Sequence, residues 1–431
     1  MNAIDTKLEE RELSGKPIRV GLIGAGQMGQ EIVAQIGEMV GMEVAGVVDL
    51  TEDRAGLAYT FSRKQKPVEL VSNVEKAAQV NREGKWVIGT DSRLLTGNPQ
   101  IDVIVDATGQ PEIGAEISLD AFNHHKHVVM MNVECDVTIG ATLRRMADNA
   151  GIVYSLASGD EPAAVIELIR FCRAIGHTVV VAGKGKNNPL DIHATPEEWR
   201  KKAQERHIAN PRLMVEFVDG SKTMVEMSAV SNATGLLPDV PGMHGPHALV
   251  KELTTVFRPS TEKGILSKIG VVDYAIGDIH PGVFVIFTTE NRRIMDGPAM
   301  KALGDGPYYL LYRPYHLCSG EVPLTVARAV IYGESSGHPL DRPVSECVAI
   351  AKKDLEVGEE LDMIGEYCYR GSIETAARAR YEKLLPLGLA RGCIMKKAVP
   401  RDTPITYDMV EMTRDSVLLQ LRKIQDNMLR R

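Results

Sequence analysis

Three glycines, Gly24, Gly26 and Gly29, stand in the spacing G-x-G-x-x-G within the stretch VGLIGAGQMGQEIV. In that spacing the first glycine makes a tight turn and the second lets backbone approach a pyrophosphate. The third lets a helix pack closely on a strand, so that the helix's free N–H groups face the phosphates. Gln27 and Met28 open that helix. The context supports the motif: an apolar run over 18–23 reads as the preceding strand and 27–37 as the following helix. A second strand, 43–48, ends in Asp49, 20 residues beyond Gly29, where an acid reaches the adenosine ribose. The expected ligand is a nicotinamide dinucleotide, against the alternative of a purely structural glycine turn. Asp49 favours NADH, because a 2′-phosphate would meet its charge, while Arg54 can pair with that phosphate and opposes the preference.

A second set of residues suits substrate chemistry. In GKGKNNPLD, Lys184 and Lys186 offer point charges for phosphate or carboxylate. Asn187, Asn188 and Asp191 can read hydroxyls. The alternative is a polar turn with solvated lysines. Glu134 and Asp136 follow a predicted strand and suit general acid–base work or a hard cation such as Mn or Mg, the alternative being ordinary loop acids. Asp160 and Glu161 read either as helix capping or as catalytic acids. Ser228 and Asn232, four apart, share one face of a predicted helix, and that polar face is expected to line a pocket. His244 and His247 match no zinc spacing and read as a substrate lid or a surface loop. Arg313 opens the cluster RPYH, which can close over an anion or form a structural loop anchored by its tyrosine.

The elements that must position these groups alternate strand and helix up to about residue 160, with further strands at 101–106, 127–131 and 152–156. That order predicts an α/β Rossmann domain over 1–160, a doubly wound parallel sheet whose ligands sit beyond the strands' carboxyl ends. Three loops matter there: 24–29, 108–112 with Thr108 and Gly109, and 132–136. Residues 161–340 read as a mixed α/β substrate and dimerisation domain with strands at 178–182, 213–217, 282–289 and 307–311. Residues 341–431 read as a small β-rich module with internal pseudo-symmetry, because KKDLEVGE after Ala351 is echoed by KKAVPRDT after Met395, followed by a charged C-terminal helix.

Composition narrows the class. With 44% hydrophobic and 25% charged residues the chain reads as an ordinary soluble protein, and its net charge of −7 disfavours nucleic acid as main partner. No apolar run approaches a membrane span. The charged N-terminus, without a signal-peptide pattern, reads as a short helix or arm, and the six scattered cysteines suit reduced thiols. A cytoplasmic protein is expected.

The first 340 residues resemble the homoserine dehydrogenase-like superfamily through the Gly24–Gly29 fingerprint, the stretch IVDATG ending at Gly109, the strand 127–131 and the strand–loop 179–191. The last unit resembles a SAF domain. Together with MMNVE, SGDEP, GKGKNNPL, DGSKTMVEM, GMHGP and RPYHL, the combination resembles the 1-deoxy-D-xylulose 5-phosphate reductoisomerase-like enzymes. The resemblance implies NADPH, a divalent cation and a homodimer. Two departures matter. Val133 and Glu134 stand where homoserine dehydrogenases carry a lysine after asparagine, which argues against homoserine. Asp49 stands where NADPH enzymes place a basic residue.

The expected protein is an NAD(P)-dependent oxidoreductase, reductoisomerase-like, acting on a small anionic sugar phosphate. Lys184, Lys186, Glu134 and Glu161 are its expected catalytic groups, and Asn187, Asn188, Asp191, Ser228, Asn232 and Arg313 its expected substrate contacts. The alternatives are a plain dehydrogenase of a four- or five-carbon hydroxy compound and a cofactor-binding sensor.

Overall fold

The computed structural model describes residues 3–205 and 210–429. The chain divides into two compact units. The first comprises residues up to Ala163, Leu317–Asp341 and the chain from Gln420; the second comprises Ala164–His316 and Arg342–Leu419. Two segments late in the chain therefore return to the first unit, a path that consecutive division into three segments does not capture.

The first unit holds seven strands: β1 (Ile18–Ile23), β2 (Met42–Val48), β3 (Val68–Leu70), β4 (Trp86–Gly89), β5 (Val103–Asp106), β6 (His127–Met130) and β7 (Tyr154–Leu156). All pairs are parallel and the order is β3-β4-β2-β1-β5-β6-β7. The order reverses at β1, so the crevice between the ends of β1 and β5 is the place such sheets bind ligands. The expected Rossmann fold is borne out. The central strands read as near-continuous apolar runs because helices cover both faces. Ile32, Val33 and Ile36 of the helix Gln27–Glu38 pack on Val20, Leu22 and Val105, and Val322 and Val326 of the helix Val322–Tyr332 join the same core. The predicted loop 132–136 is instead the first turn of a helix, Val133–Asn149, with Asn132 as its N-cap accepting the Cys135 N–H at 3.2 Å.

The second unit is built on a mixed sheet of β8 (Thr178–Lys186), β9 (Leu237–Pro238), β10 (Val271–Ile276), β11 (Val283–Thr288) and β12 (Tyr308–Arg313), ordered β12-β11-β8-β10-β9. Two sequence expectations change here. The strand expected to end at Ala182 runs on to Lys186, so the two lysines lie on a strand and not in a loop. The strand expected at 213–217 is the helix Pro211–Val218. Asn210 caps it and Pro211 suits its first position. Met214, Val215 and Val218, helical neighbours, are buried with Trp199 and Ala203.

The remainder of this unit is the repeat module. β13 (Ser345–Ala351) pairs antiparallel with β14 (Tyr369–Thr375), and β15 (Ile394–Met395) pairs with β16 (Val410–Glu411). The two echoing segments do not each fold into a hairpin. They pair with each other. Leu355 and Val399 exchange both backbone hydrogen bonds at 2.9 Å. Around that pair the bonds repeat in mirrored order: Gly358 N–H to the Met395 carbonyl answers Asp402 N–H to the Ala351 carbonyl, and Leu361 to Cys393 answers Ile405 to Ala349. The equivalent turn residues Gly358 and Asp402 both take left-handed backbone, with φ of +85° and +65°. Internal two-fold pseudo-symmetry is thus present at the level of individual hydrogen bonds.

The six cysteines form no disulfides. Among the described residues no helix is long and apolar enough to cross a membrane.

Candidate functional site

The first cluster is the turn after β1. Gly24 has φ +100°, and a Cβ there would lie 2.7 Å from the Ala107 backbone, so only glycine fits between β1 and β5. A Cβ on Gly29 would lie 2.0 Å from the Gly24 carbonyl oxygen. Gly26 differs: a Cβ would meet nothing within 4 Å, and its φ is an unstrained −67°. No described residue requires glycine at that position. The open space lies at the N-terminus of the helix Gln27–Glu38, which has no side-chain cap. Its first N–H groups, those of Gln27 and Met28 included, are placed for an anion. The cradle fits a dinucleotide pyrophosphate.

Asp49 closes the cradle. Its carboxylate accepts the Ala25 N–H at 2.6 Å and the Leu50 N–H at 2.7 Å, and Arg54 lies 3.6 Å away. The acid thus fixes the glycine turn as well as standing where a ribose would bind. Across the crevice, Asp106 at the end of β5 accepts from the Thr108 N–H at 2.9 Å and the Thr108 hydroxyl at 2.6 Å. Asn132 donates to its second oxygen at 3.1 Å. Burial holds the Asp106 carboxyl above its usual range, partly offset by these donors. Gly109 follows with φ +61° and open space at its Cβ position.

Glu134 and Asp136 sit in the first turn of the helix Val133–Asn149, both buried, so neither is a loop acid. Asp136 accepts the Tyr154 hydroxyl at 2.8 Å and its other oxygen is buried without a partner, and burial raises its pKa to about 7. Glu161 opens the helix Glu161–Ala174.

The second cluster lies on the β8 sheet. In Gly183-Lys184-Gly185-Lys186 the strand's period of two sends the glycines to one face and the lysines to the other. A Cβ on Gly183 would lie 2.0 Å from the Asp273 carbonyl oxygen, and one on Gly185 2.2 Å from the His280 nitrogen. The glycines let neighbouring backbone close on one side, and the lysines are buried on the other. Lys184 pairs with Glu226 of the helix Ser221–Thr234. Lys186 donates to the Phe217 carbonyl. Burial, with Lys184 nearby, lowers the Lys186 pKa to about 8. A second buried pair, Lys352 and Asp219 at 3.0 Å, lies close to them.

The other expected substrate contacts separate. Asn188 is buried beside the lysines in sequence, whereas Asn187 and Asp191 are exposed, Asp191 accepting the His193 N–H at 3.3 Å in a local turn. Ser228 does not face a pocket with a free hydroxyl: it bonds back to the Met224 carbonyl at 2.8 Å. Asn232 accepts the Val344 and Ser345 N–H groups, each at 2.9 Å, and so ties down the start of β13. The shared polar face is polar because it anchors the repeat module. Arg313 stacks on Tyr315 at 4.6 Å and meets Glu167 at 3.4 Å, an arrangement internal to the fold. His244 pairs with Asp239 at 2.8 Å.

Sequence reasoning passed over Asp106, Glu226 and the Lys352–Asp219 pair as functional residues. Asp106 ends a strand beside the glycine turn, which was a usable signal. Nothing in the sequence joins Lys352 to Asp219.

Residues 24–155 match the model of the homoserine dehydrogenase NAD-binding domain, and residues 159–322 match that of the oxidoreductase DRL catalytic domain. The chain is 28% identical over 144 residues to homoserine dehydrogenase from Bacillus subtilis, covering 33% of this chain and 30% of that protein. It is 24% identical over 139 residues to the enzyme from Synechocystis sp., covering 32% and 28%. The chain thus spans about three-tenths of the length of these relatives. Among solved structures it is similar to a probable dehydrogenase from Thermotoga maritima, at 14% identity and TM-score 0.40 over 74% of this chain and 90% of that one. It is also similar to an oxidoreductase from Agrobacterium radiobacter in complex with NAD+, L-tartaric acid and magnesium, at 14% identity and TM-score 0.30 over 40% and 45%. Residues 24–155 are thus similar to a homoserine dehydrogenase NAD-binding domain and residues 159–322 to an oxidoreductase DRL catalytic domain, and these matches support an NAD(P)-dependent oxidoreductase.

Proposed function

We propose that this protein reduces a small phosphorylated carbonyl sugar with NAD(P)H, and that the reaction is reductoisomerisation of 1-deoxy-D-xylulose 5-phosphate, in isoprenoid precursor synthesis. The observation that carries the reading is the open Gly26 cradle in a chain that also matches an oxidoreductase catalytic domain. A bound nicotinamide supplies hydride. Gly26 and the first N–H groups of the helix Gln27–Glu38 hold its pyrophosphate, and Asp49 takes the ribose, favouring NADH. Lys184 and Lys186 hold the phosphate or polarise the carbonyl. With its pKa near 8, Lys186 is also suited to move a proton around neutral pH. Glu134 and Glu161 are the remaining candidates for proton transfer, and a divalent cation such as Mn or Mg is the implied partner of neighbouring substrate oxygens. The repeat module is read as SAF-like and the enzyme as a homodimer, which light scattering tests.

The decisive experiment is oxidation of NADH and NADPH with 1-deoxy-D-xylulose 5-phosphate, with and without manganese, followed by product analysis. Turnover to a branched polyol phosphate, lost in Lys186→Ala, supports the reading. Absence of turnover with intact cofactor binding refutes it. The homoserine dehydrogenase matches favour a second reading, a plain dehydrogenase of a four- or five-carbon hydroxy compound. Its product keeps the carbon skeleton.

A further inference from the structure

The chain returns to the first unit at Leu317 and enters the helix Val322–Tyr332 five residues later. The residues between, Leu317-Cys318-Ser319-Gly320-Glu321, form a turn closed on itself. The Glu321 N–H donates to the Leu317 carbonyl at 2.9 Å, and the Glu321 carboxylate accepts the Leu317 N–H at 3.0 Å. This turn touches two places with different expected tasks, both in the same unit. On one side the buried Ser319 hydroxyl donates to the Met28 sulfur at 3.1 Å. Met28 is the second residue of the helix Gln27–Glu38, and its own N–H is among the groups placed for a pyrophosphate. On the other side the Cys318 thiol donates to the Asp160 carboxylate at 3.7 Å, one residue before Glu161. Gly159 brings the two turns into contact: with φ +80°, a Cβ there would lie 2.4 Å from the Leu317 carbonyl oxygen and 2.7 Å from the Glu321 Cβ.

The start of the 158–161 turn is anchored by stronger contacts. The Ser158 N–H donates to the Thr325 hydroxyl at 2.8 Å, and the hydroxyls of Ser158, Thr325 and Ser336 form a triangle with sides of 2.9, 2.7 and 2.9 Å. Thr325 belongs to the helix that follows the 317–321 turn, so the base of this assembly is fixed. The Met28 and Asp160 links differ in kind. Both run through sulfur, a weak donor as a thiol and a weak acceptor as a thioether. A closed turn with a firm base therefore reaches the cofactor cradle and the Asp160–Glu161 carboxylates through its two softest contacts. An anion bound at the first turn of the helix Gln27–Glu38 acts on Met28, and Met28 is the residue that Ser319 holds.

We propose that residues 317–321 are a strap through which an occupied dinucleotide cradle fixes the 158–161 turn, with Ser319 as its positioning residue, so that cofactor binding prepares the turn for substrate. The proposal rests on the cofactor-cradle reading above, but its test needs no substrate. Cys318 is the reporter, because its thiol must leave Asp160 to react and the other five cysteines are buried. Its alkylation by iodoacetamide is followed by mass spectrometry, with and without saturating NADH or NADPH, saturation being checked by fluorescence titration. In the wild type, bound cofactor should slow Cys318 alkylation about 5-fold or more, the low end of ordinary coupling between two sites. In Ser319→Ala, equally saturated, the slowing should fall to about 2-fold or less. Met28→Leu keeps the backbone N–H groups and loses only the acceptor sulfur. It should match Ser319→Ala, and the double variant should lose no more than either alone. A purely structural defect changes the cofactor-free rate and the melting temperature, not the ratio of free to bound rates. A wild-type rate unaffected by bound cofactor overturns the proposal. So does full slowing in Ser319→Ala, which shows direct shielding by the cofactor. If Ser319→Ala fails to fold, Met28→Leu decides by the same criterion. Absence of saturable cofactor binding to the wild type refutes the cradle and the strap with it. Slowing that requires Ser319, without turnover of the sugar phosphate, refutes the reaction and leaves the strap standing.

Discussion

Gly26→Ala separates a ligand's demand from the fold's demand. The backbone there has φ −67° and ψ −168°, which alanine adopts freely, and its Cβ would enter open space. Exchanging glycine for alanine at such a site stabilises a fold by about 0.4–1 kcal/mol, by restricting the unfolded chain. The melting temperature should therefore hold or rise slightly. A pyrophosphate close to the helix N-terminus would meet the new methyl group and lose one of its contacts to backbone N–H. A hydrogen bond to a charged group contributes about 1.5–3 kcal/mol, so the dissociation constant for NADH should rise about 10- to 150-fold. NADH fluorescence titration and differential scanning fluorimetry on the same preparations read both quantities. Gly29→Ala is the contrast: its Cβ would lie 2.0 Å from the Gly24 carbonyl oxygen, so stability and binding should fall together. NADH binding within twofold of wild type in a stable Gly26→Ala protein would falsify the assignment of this turn as the cofactor cradle.

Three further outcomes follow from the geometry. Asp49→Ser should lower the NADH-to-NADPH affinity ratio by about tenfold, the effect of removing one charge that opposes a 2′-phosphate while Arg54 remains; an unchanged ratio shows that Asp49 serves only the turn. Asp136 has a folded pKa raised to about 7. The folded state thus holds its proton more tightly than the unfolded chain, and stability falls as pH rises from about 4 to about 7, by an upper limit on the order of 4 kcal/mol. Asp136→Asn should flatten that slope and be more stable than wild type at pH 8, which denaturant titrations at pH 5 and pH 8 check. Lys352→Met strands the buried Asp219 carboxylate and should destabilise the second unit by about 3–5 kcal/mol, whereas Lys352→Met with Asp219→Leu should recover most of the loss; equal stability of both single and double variants contradicts a buried pair.

The parallel sheet was legible because its long strands are mostly apolar and its glycine turn has a spacing that few other structures need. β3 and β4, with 3 and 4 residues, are too short to show a period, and no strand is expected there from the sequence. The segment 211–218 was misread for a related reason. Its apolar residues form a block that suits a buried strand or one helical face equally. The deciding signals, Asn210 and Pro211, are local capping chemistry that apolar content outweighs in a short window. The repeat module shows the opposite case. Its echo is plain in KKDLEVGE and KKAVPRDT, yet a repeat does not say whether each copy folds on itself or pairs with the other, because that is fixed by long-range hydrogen bonds.

The candidate site divides in the same way. Residues whose role depends on backbone proximity in sequence, such as Gly24, Gly29 and Asp49, could be named from spacing alone. Lys184 and Lys186 could be named as well, but their environment could not: GKGK reads as a flexible loop until β10 is laid against it. Only then do the glycines become contact points for the backbone of Asp273 and His280, and the lysines become buried groups on a rigid strand. That change alters the chemistry, since a solvated lysine keeps its charge with ease while a buried one answers to whatever carboxylate or phosphate arrives. Asn232 changed in the other direction, from a pocket group to an anchor, because its partners at 344 and 345 lie more than a hundred residues away.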